Sequence, residues 1–246
     1  MPLLELIHVS KSFGGLRVLD GVDIRVERGE IFGLIGPNGA GKTTLFNVIS
    51  GFLRPDSGRV LLRGEDLVGL RPHEICRRGV GRTFQLVQPF PEMTVVDNVV
   101  AACLFGRQPP ASLDAARARA RQLLALFKLE DTADQLAGRL TLSDRKRLEI
   151  VRALGTRPEI LLLDEVMAGL NPAESQEMVG IVRQVQAELG LTLLIIEHNV
   201  KAVTGLSRRM AVLGQGVVIA EGEPAEVVAH PEVIKAYLGQ RKPGKA

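Results

Sequence analysis

The sequence predicts an α/β protein built on a mainly parallel sheet, and three observations predict it. Short apolar runs of strand length alternate with helical patterns, with Gly or Pro at the joints. A block of about 60 residues in the middle reads as helix alone, long enough for a sub-lobe rather than a loop. One glycine-rich loop follows a strand-like run and opens a helical one.

The elements follow in order. Residues 3–9 and 19–26 read as strands, and 30–35 as a buried strand that ends in the glycine-rich loop. Residues 43–50 read as a helix with Gly51 placed to close it. The turn Pro55-Asp56-Ser57-Gly58 leads into a strand over 59–63. Pro72 suits the first turn of a short helix that stops at Gly79. From about 97 to 154 the pattern is helical, with Ser112 as an N-cap and Leu123, Leu124 and Phe127 on one face. Strand rhythm returns at 160–163, 193–196, 211–213 and 217–220.

Composition narrows the class. Apolar residues make up 46% and charged residues 24%, so a disordered chain is excluded. Apolar runs such as 160–163 and 191–196 fall far short of the roughly 18–20 residues that span a bilayer. The first ten residues hold Glu5 and His8 and lack a basic start with an apolar middle, so no signal peptide is expected. The expectation is a cytosolic chain that does not itself cross a membrane. Cys76 and Cys103 cannot build a disulfide framework or a four-ligand zinc site, and each reads as a small buried or half-buried residue. With 31 basic against 28 acidic residues the balance is +3, too small to argue for nucleic acid. The arginines at 117–121 read as the solvated face of a helix.

Gly36-Pro37-Asn38-Gly39-Ala40-Gly41-Lys42-Thr43 fits G-x-x-x-x-G-K-[ST] at every fixed position. Glycines let backbone N–H groups turn inward and approach phosphate oxygens closely. The helix that follows adds its partial positive charge. Lys42 should reach the β- and γ-phosphates of a nucleoside triphosphate, and the Thr43 hydroxyl should ligate Mg²⁺.

A second carboxylate site follows the apolar run 160–163, which ends in Asp164 and Glu165. Acids are rarely placed at the end of a buried strand without a partner. Ligands of open α/β sheets lie at the carboxyl ends of strands. Asp164 should therefore lie beside the phosphate loop and hold Mg²⁺, directly or through water. Glu165 is the candidate to orient or deprotonate the attacking water.

With the phosphate loop and the acid pair placed, the sequence resembles the ATPase subunits of ABC transporters over nearly the whole chain. The resemblance implies ATP and Mg²⁺ as ligands. It also implies a P-loop NTPase core at about 1–85 and 155–246, carrying an antiparallel β subdomain and an inserted helical subdomain at about 86–154, all in one domain over 1–246. Gly36 to Thr43 and the following Thr44 would line ATP. Phe13 stands where the family stacks an aromatic on adenine, although on sequence alone it is equally a core phenylalanine. Thr83-Phe84-Gln85 stands at the family's Gln loop; there Gln85 would reach Mg²⁺ and the water, whereas alone it reads as an exposed loop amide. Glu197-His198-Asn199 is similar to the switch-histidine segment, which would put His198 at the γ-phosphate.

The closer resemblance is to the branched-chain amino acid uptake branch. It rests on Gly81-Arg82-Thr83-Phe84-Gln85, on Met93-Thr94-Val95 and Asn98, and on Ala168-Gly169-Leu170-Asn171-Pro172. The end of the chain adds Gly222-Glu223-Pro224, Pro231-Glu232-Val233-Ile234 and Ala236-Tyr237-Leu238-Gly239. That implies membrane permease subunits, a separate solute-binding protein, a second ATPase subunit, and a place on the cytoplasmic face of the membrane. Relatives of the branch that move urea, amides or small organic acids are the alternative, and a soluble ABC ATPase outside transport is another. The family signature Leu-Ser-Gly-Gly-Gln is altered here to Leu140-Thr141-Leu142-Ser143-Asp144. Thr141 keeps a hydroxyl at a helix start, but Asp144 would set a negative charge near a partner's triphosphate. A heteromeric pair with an intact relative is therefore expected over a homodimer. Asn171 stands where many relatives carry Asp.

Overall fold

The structure, a computed structural model, describes residues 2–85 and 88–238. By its internal contacts the chain divides into two units, Met1–Leu70 with Leu194–Ala246, and Arg71–Leu193.

The first unit opens with strands β1 (Pro2–Phe13) and β2 (Leu16–Glu27), longer than the expected 3–9 and 19–26. They form an antiparallel hairpin closed by Gly14-Gly15, which puts Phe13 at the hairpin tip, 44% exposed. β2 alternates strictly along its inner half. Val22, Ile24 and Val26 are buried and Asp23, Arg25 and Glu27 exposed, the pattern of a sheet with one wet face. β3 (Ile31–Ile35) is buried at every residue. It is followed by α1 (Lys42–Ile49), β4 (Ser57–Leu62) and the two-residue β5 (Glu65–Asp66). The first sheet has the order β2-β1-β4-β5 and is antiparallel throughout.

The second unit begins with α2 (Pro72–Arg78), with Pro72 in its first turn and Gly79 closing it at φ 110°, as the sequence predicts. After β6 (Val80–Arg82) the expected helical block resolves into α3 (Val95–Phe105), α4 (Leu113–Leu126), two single 3₁₀ turns and α5 (Leu142–Gly155). α3 starts at Val95 because the Thr94 side chain caps it, accepting from the Asp97 N–H. Ser112 caps α4 as expected, and Ala116, Ala120, Leu123 and Leu124 form its buried stripe. Arg117 and Arg121 lie outside that stripe, paired with Asp97 and Asp134. β7 (Ile160–Asp164) and α6 (Pro172–Leu189) complete the unit. Its core joins Phe127, Ile150, Leu154, Leu161, Leu163, Val182 and Val185.

The chain returns to the first unit through β8 (Thr192–Ile196), buried at every residue. α7 (Val200–Leu206), β9 (Arg209–Gly214), β10 (Val217–Gly222), α8 (Pro224–Ala229) and α9 (Pro231–Leu238) follow. Here the strand order is β10-β9-β3-β8, with β3 parallel to β9 and β10 turned back antiparallel. In the second unit β6 and β7 pair in parallel. Strands apolar on both faces are what a covered parallel sheet requires. Ile35, Val203, Met210, Val212, Val227 and Val233 form a cluster against which Tyr237 packs. Among the described residues no helix is long and apolar enough to cross a membrane.

Candidate functional site

In the first unit, β3 delivers the chain to Gly36 with no polar side chain on the way. A Cβ on Gly36 would stand 2.2 Å from the Leu213 carbonyl oxygen, and Gly36 has φ 155°. On Gly41, at φ 104°, a Cβ would stand 2.7 Å from the Val18 carbonyl oxygen. Neither position tolerates a side chain, so the loop's course depends on both glycines. The β9–β10 turn braces it: the Gly216 N–H donates to the Ala40 carbonyl at 3.1 Å, and the Asp20 N–H to the Gly216 carbonyl at 2.9 Å.

α1 opens at Lys42 with Gly41 as N-cap, no side-chain cap and no acid in its first turn. Its positive end therefore favours an anion. Lys42 is buried, and its ammonium donates to the Gly36 carbonyl at 2.6 Å and the Pro37 carbonyl at 3.0 Å, inside the loop. Thr43 is exposed and Thr44 half-buried. Asn38 and Gly39 are exposed at the tip, and Ala40 is buried behind it. Phe13 carries the Lys11 ammonium 5.6 Å from its ring centroid and is partly exposed. His198 follows β8 and is exposed; the next residue, Asn199, caps α7. The Tyr237 phenol of α9 is bonded to the Gly36 backbone, and burial raises its pKa against that bond.

In the second unit the residues of the Gln loop and the acid pair meet. The Thr83 N–H donates to the Leu162 carbonyl, and the Asp164 N–H donates to Thr83 Oγ1 at 3.0 Å. β6 thereby carries Arg82 to the end of β7, where Arg82 Nη2 donates to Asp164 Oδ2 at 3.0 Å. Both side chains are almost wholly buried. Burial lowers the Arg82 pKa, and Asp164 opposes that by bond and charge. Gln85 Nε2 donates to Glu165 Oε2 at 3.0 Å. Glu165 itself has φ 52°, a left-handed backbone that costs about 1–3 kcal/mol and persists only where its surroundings hold it. Its carbonyl accepts from the Ala168 N–H and from Lys146 Nζ, the latter at 2.9 Å.

α5 opens on the altered signature. Thr141 is the N-cap: its Oγ1 accepts from the Asp144 N–H at 3.2 Å and donates to Asp144 Oδ2 at 2.7 Å. Arg147 stands 3.9 Å from the Asp144 carboxylate and also pairs with Glu177. Leu140 is buried, Leu142 half exposed, and Ser143 is buried with its hydroxyl unpartnered among the described residues. Asn171 is the N-cap of α6, in a reciprocal bond pair with Glu174.

Sequence reasoning missed the partners that surround these groups. Arg82 entered only as part of a motif, although a buried strand-end acid demands a cation. Lys146 and Glu149 were not singled out in the sequence, yet both are buried. Glu149 accepts from the Phe84 N–H, and burial pushes its carboxyl up to about 7. Raised above the ordinary carboxylate value of 4.5, Glu149 keeps its proton longer in the folded chain than in the unfolded one. Its contribution to stability is therefore lost as pH rises from about 4.5 to 7. Glu149→Gln cannot ionise, so its Tm relative to wild type is expected to climb across that interval, by about 2–4 °C per kcal/mol recovered. Thermal melts at a series of pH values check this; a flat difference would contradict it.

Comparison with known proteins adds the following. The ABC transporter family profile matches residues 19–168. A second profile, branched-chain amino acid ATP-binding cassette transporter, matches residues 217–242. The high-affinity branched-chain amino acid transport ATP-binding protein BraF of Pseudomonas aeruginosa is 41% identical over 251 residues, covering 97% of this chain and 98% of the relative. LivG of Escherichia coli K12, described in the same words, is 41% identical over 255 residues, covering 97% and 98%. The crystal structure of the ADP conformation of an ATP-binding cassette of an ABC transporter superposes with a TM-score of 0.87 at 36% identity, covering 98% of this chain and 100% of the other.

Proposed function

Because this chain belongs to the ABC transporter ATP-binding family, we propose that it is the ATP-hydrolysing subunit of an importer for branched-chain amino acids. The observation that carries the chemistry is the complete phosphate loop at the end of β3, with the Lys42 ammonium inside it. The likeness to BraF and LivG over 97% of the chain supports the solute class.

The loop from Gly36 to Gly41 receives the phosphates through the backbone N–H groups of its residues other than Pro37, with Lys42 on the β- and γ-phosphates and Thr44 at the helix start. Phe13, exposed at its hairpin tip, stacks on adenine. Thr43, Gln85 and Asp164 are the residues that would hold Mg²⁺. A hydroxyl, an amide carbonyl and a carboxylate are the hard oxygen donors that ion takes. Bound, it would supply positive charge to offset the negative charge developing on the phosphates. Glu165 accepts the proton of the attacking water, Gln85 orients that water, and His198 contacts the γ-phosphate. The work is positioning and charge stabilisation.

The partners are two permease subunits, a solute-binding protein and a second ATPase, with this chain on the cytoplasmic face of the membrane. Asp144 is engaged with Thr141 and lies near Arg147 of its own helix. It still brings a carboxylate to the end of α5 that would face the partner's ATP. Two like charges about 4 Å apart repel by ~1 kcal/mol in water and more where screening is poor. A heteromeric pair follows, in which the site built on this chain's Lys42 and Glu165 is the faster one. The test reconstitutes the transporter and substitutes the catalytic glutamate of each ATPase separately. Unequal losses of leucine-stimulated hydrolysis are expected. Equal losses, or full activity of this chain as a homodimer, would sink the asymmetric pair. Absence of stimulation by branched-chain amino acids would sink the solute.

A further inference from the structure

We propose that α5 positions the catalytic pair from behind, with Lys146 and Glu149 as two anchors on the backbones that carry Glu165 and Gln85. This rests on the assignment of Glu165 and Gln85 above.

The two anchors are three residues apart and so share one face of α5. Lys146 is 5% exposed and Glu149 8% exposed. Burying such groups is costly unless each is bonded, and each has a backbone partner next to a catalytic side chain. Lys146 Nζ donates to the carbonyl of Glu165 itself. That carbonyl also closes the turn to the Ala168 N–H. The ammonium thus fixes the peptide that sets the direction of the Glu165 side chain, at a residue whose left-handed φ would otherwise relax. Glu149 accepts from the backbone N–H of Phe84, the residue immediately before Gln85. Gln85 in turn donates to Glu165 Oε2. The bonds form a chain: Lys146 to the Glu165 backbone, the Glu165 side chain to Gln85, the neighbouring backbone to Glu149, and back to α5.

Lys146 and Glu149 act through Glu165 and Gln85, and so are positioning residues. Misplacing a base by about 1 Å costs on the order of a hundred-fold in rate while leaving nucleotide affinity alone. Lys146→Met keeps the stem and removes the donor; Lys146→Arg restores a donor. Glu149→Ala removes the acceptor; Glu149→Gln restores an acceptor of the same shape.

The experiment measures ATP hydrolysis by the assembled transporter for these four variants, with wild type and Glu165→Gln as references. Thermal melts and nucleotide binding serve as controls of folding. Lys146→Met and Glu149→Ala are expected to lose kcat by roughly ten- to a hundred-fold with KM for ATP changed less than about twofold. Lys146→Arg and Glu149→Gln should recover most of the rate. A merely structural role would lower melting temperature and raise KM without rescue, and that outcome overturns the proposal. Wild-type kcat in folded Lys146→Met and Glu149→Ala, beside an inactive Glu165→Gln, overturns it while leaving Glu165 in its role. An active Glu165→Gln would instead overturn the assignment beneath it.

Discussion

Glu165→Gln is expected to bind ATP as the wild-type chain does and to hydrolyse it about a hundred- to ten-thousand-fold more slowly. The amide matches the carboxylate in shape, and its oxygen can still accept from Gln85 Nε2 as Glu165 Oε2 does. The Lys146 bond goes to the main chain, so the substitution does not touch it. What disappears is the basicity that takes the water's proton. Binding of a fluorescent ATP analogue and single-turnover release of phosphate separate the two effects. A wild-type rate of phosphate release would remove Glu165 from the base role.

Lys42→Ala is expected to fail earlier, at binding. It removes a cation that charge-assisted bonds would join to two phosphates, each such bond worth about 1.5–3 kcal/mol. Affinity for ATP should fall by roughly a hundred-fold or more, with hydrolysis lost at ordinary ATP concentrations. The cradle itself should survive, because its course is set by Gly36 and Gly41 and by the brace from Gly216. Calorimetric titration with ATP, beside a thermal melt of the same sample, is the measurement. Near-normal affinity in the folded variant would remove Lys42 from the phosphates.

What was legible in the sequence was local. β3, β7 and β8 read as strands because every residue between their ends is apolar or small, and the phosphate loop read as such because its glycines and lysine are contiguous. The helical block was legible as helix, with Ser112 and Thr141 as helix starts, but its other breaks were not. They come from the Thr94 cap and two 3₁₀ turns, which carry little periodic signal. The Arg82–Asp164 pair joins residues 82 positions apart, and no spacing rule reaches that far. Gln85 alone was an exposed amide, and only pairing with Glu165 gives it a role the fold makes visible. Asp144 was read for what it would show to a partner, and Asn171 only as standing where many relatives carry Asp. Both also serve their own helices, Asn171 as a cap of α6 and Asp144 as the bonded companion of Thr141. That part was within reach, since Asn is among the strongest N-cap residues.

α5 has its opening residue Thr141 at one end and its anchors on Glu165 and Phe84 one to two turns further along. In a pair of the proposed kind, that opening would face the nucleotide held by the other subunit. One stiff rod then touches one ATP with its tip and governs the hydrolysis of another with its flank. Seating of the rod by the first ATP would then set the rate at which the second is hydrolysed, without altering how tightly the second is held. Such a coupling runs one way, through a single helix.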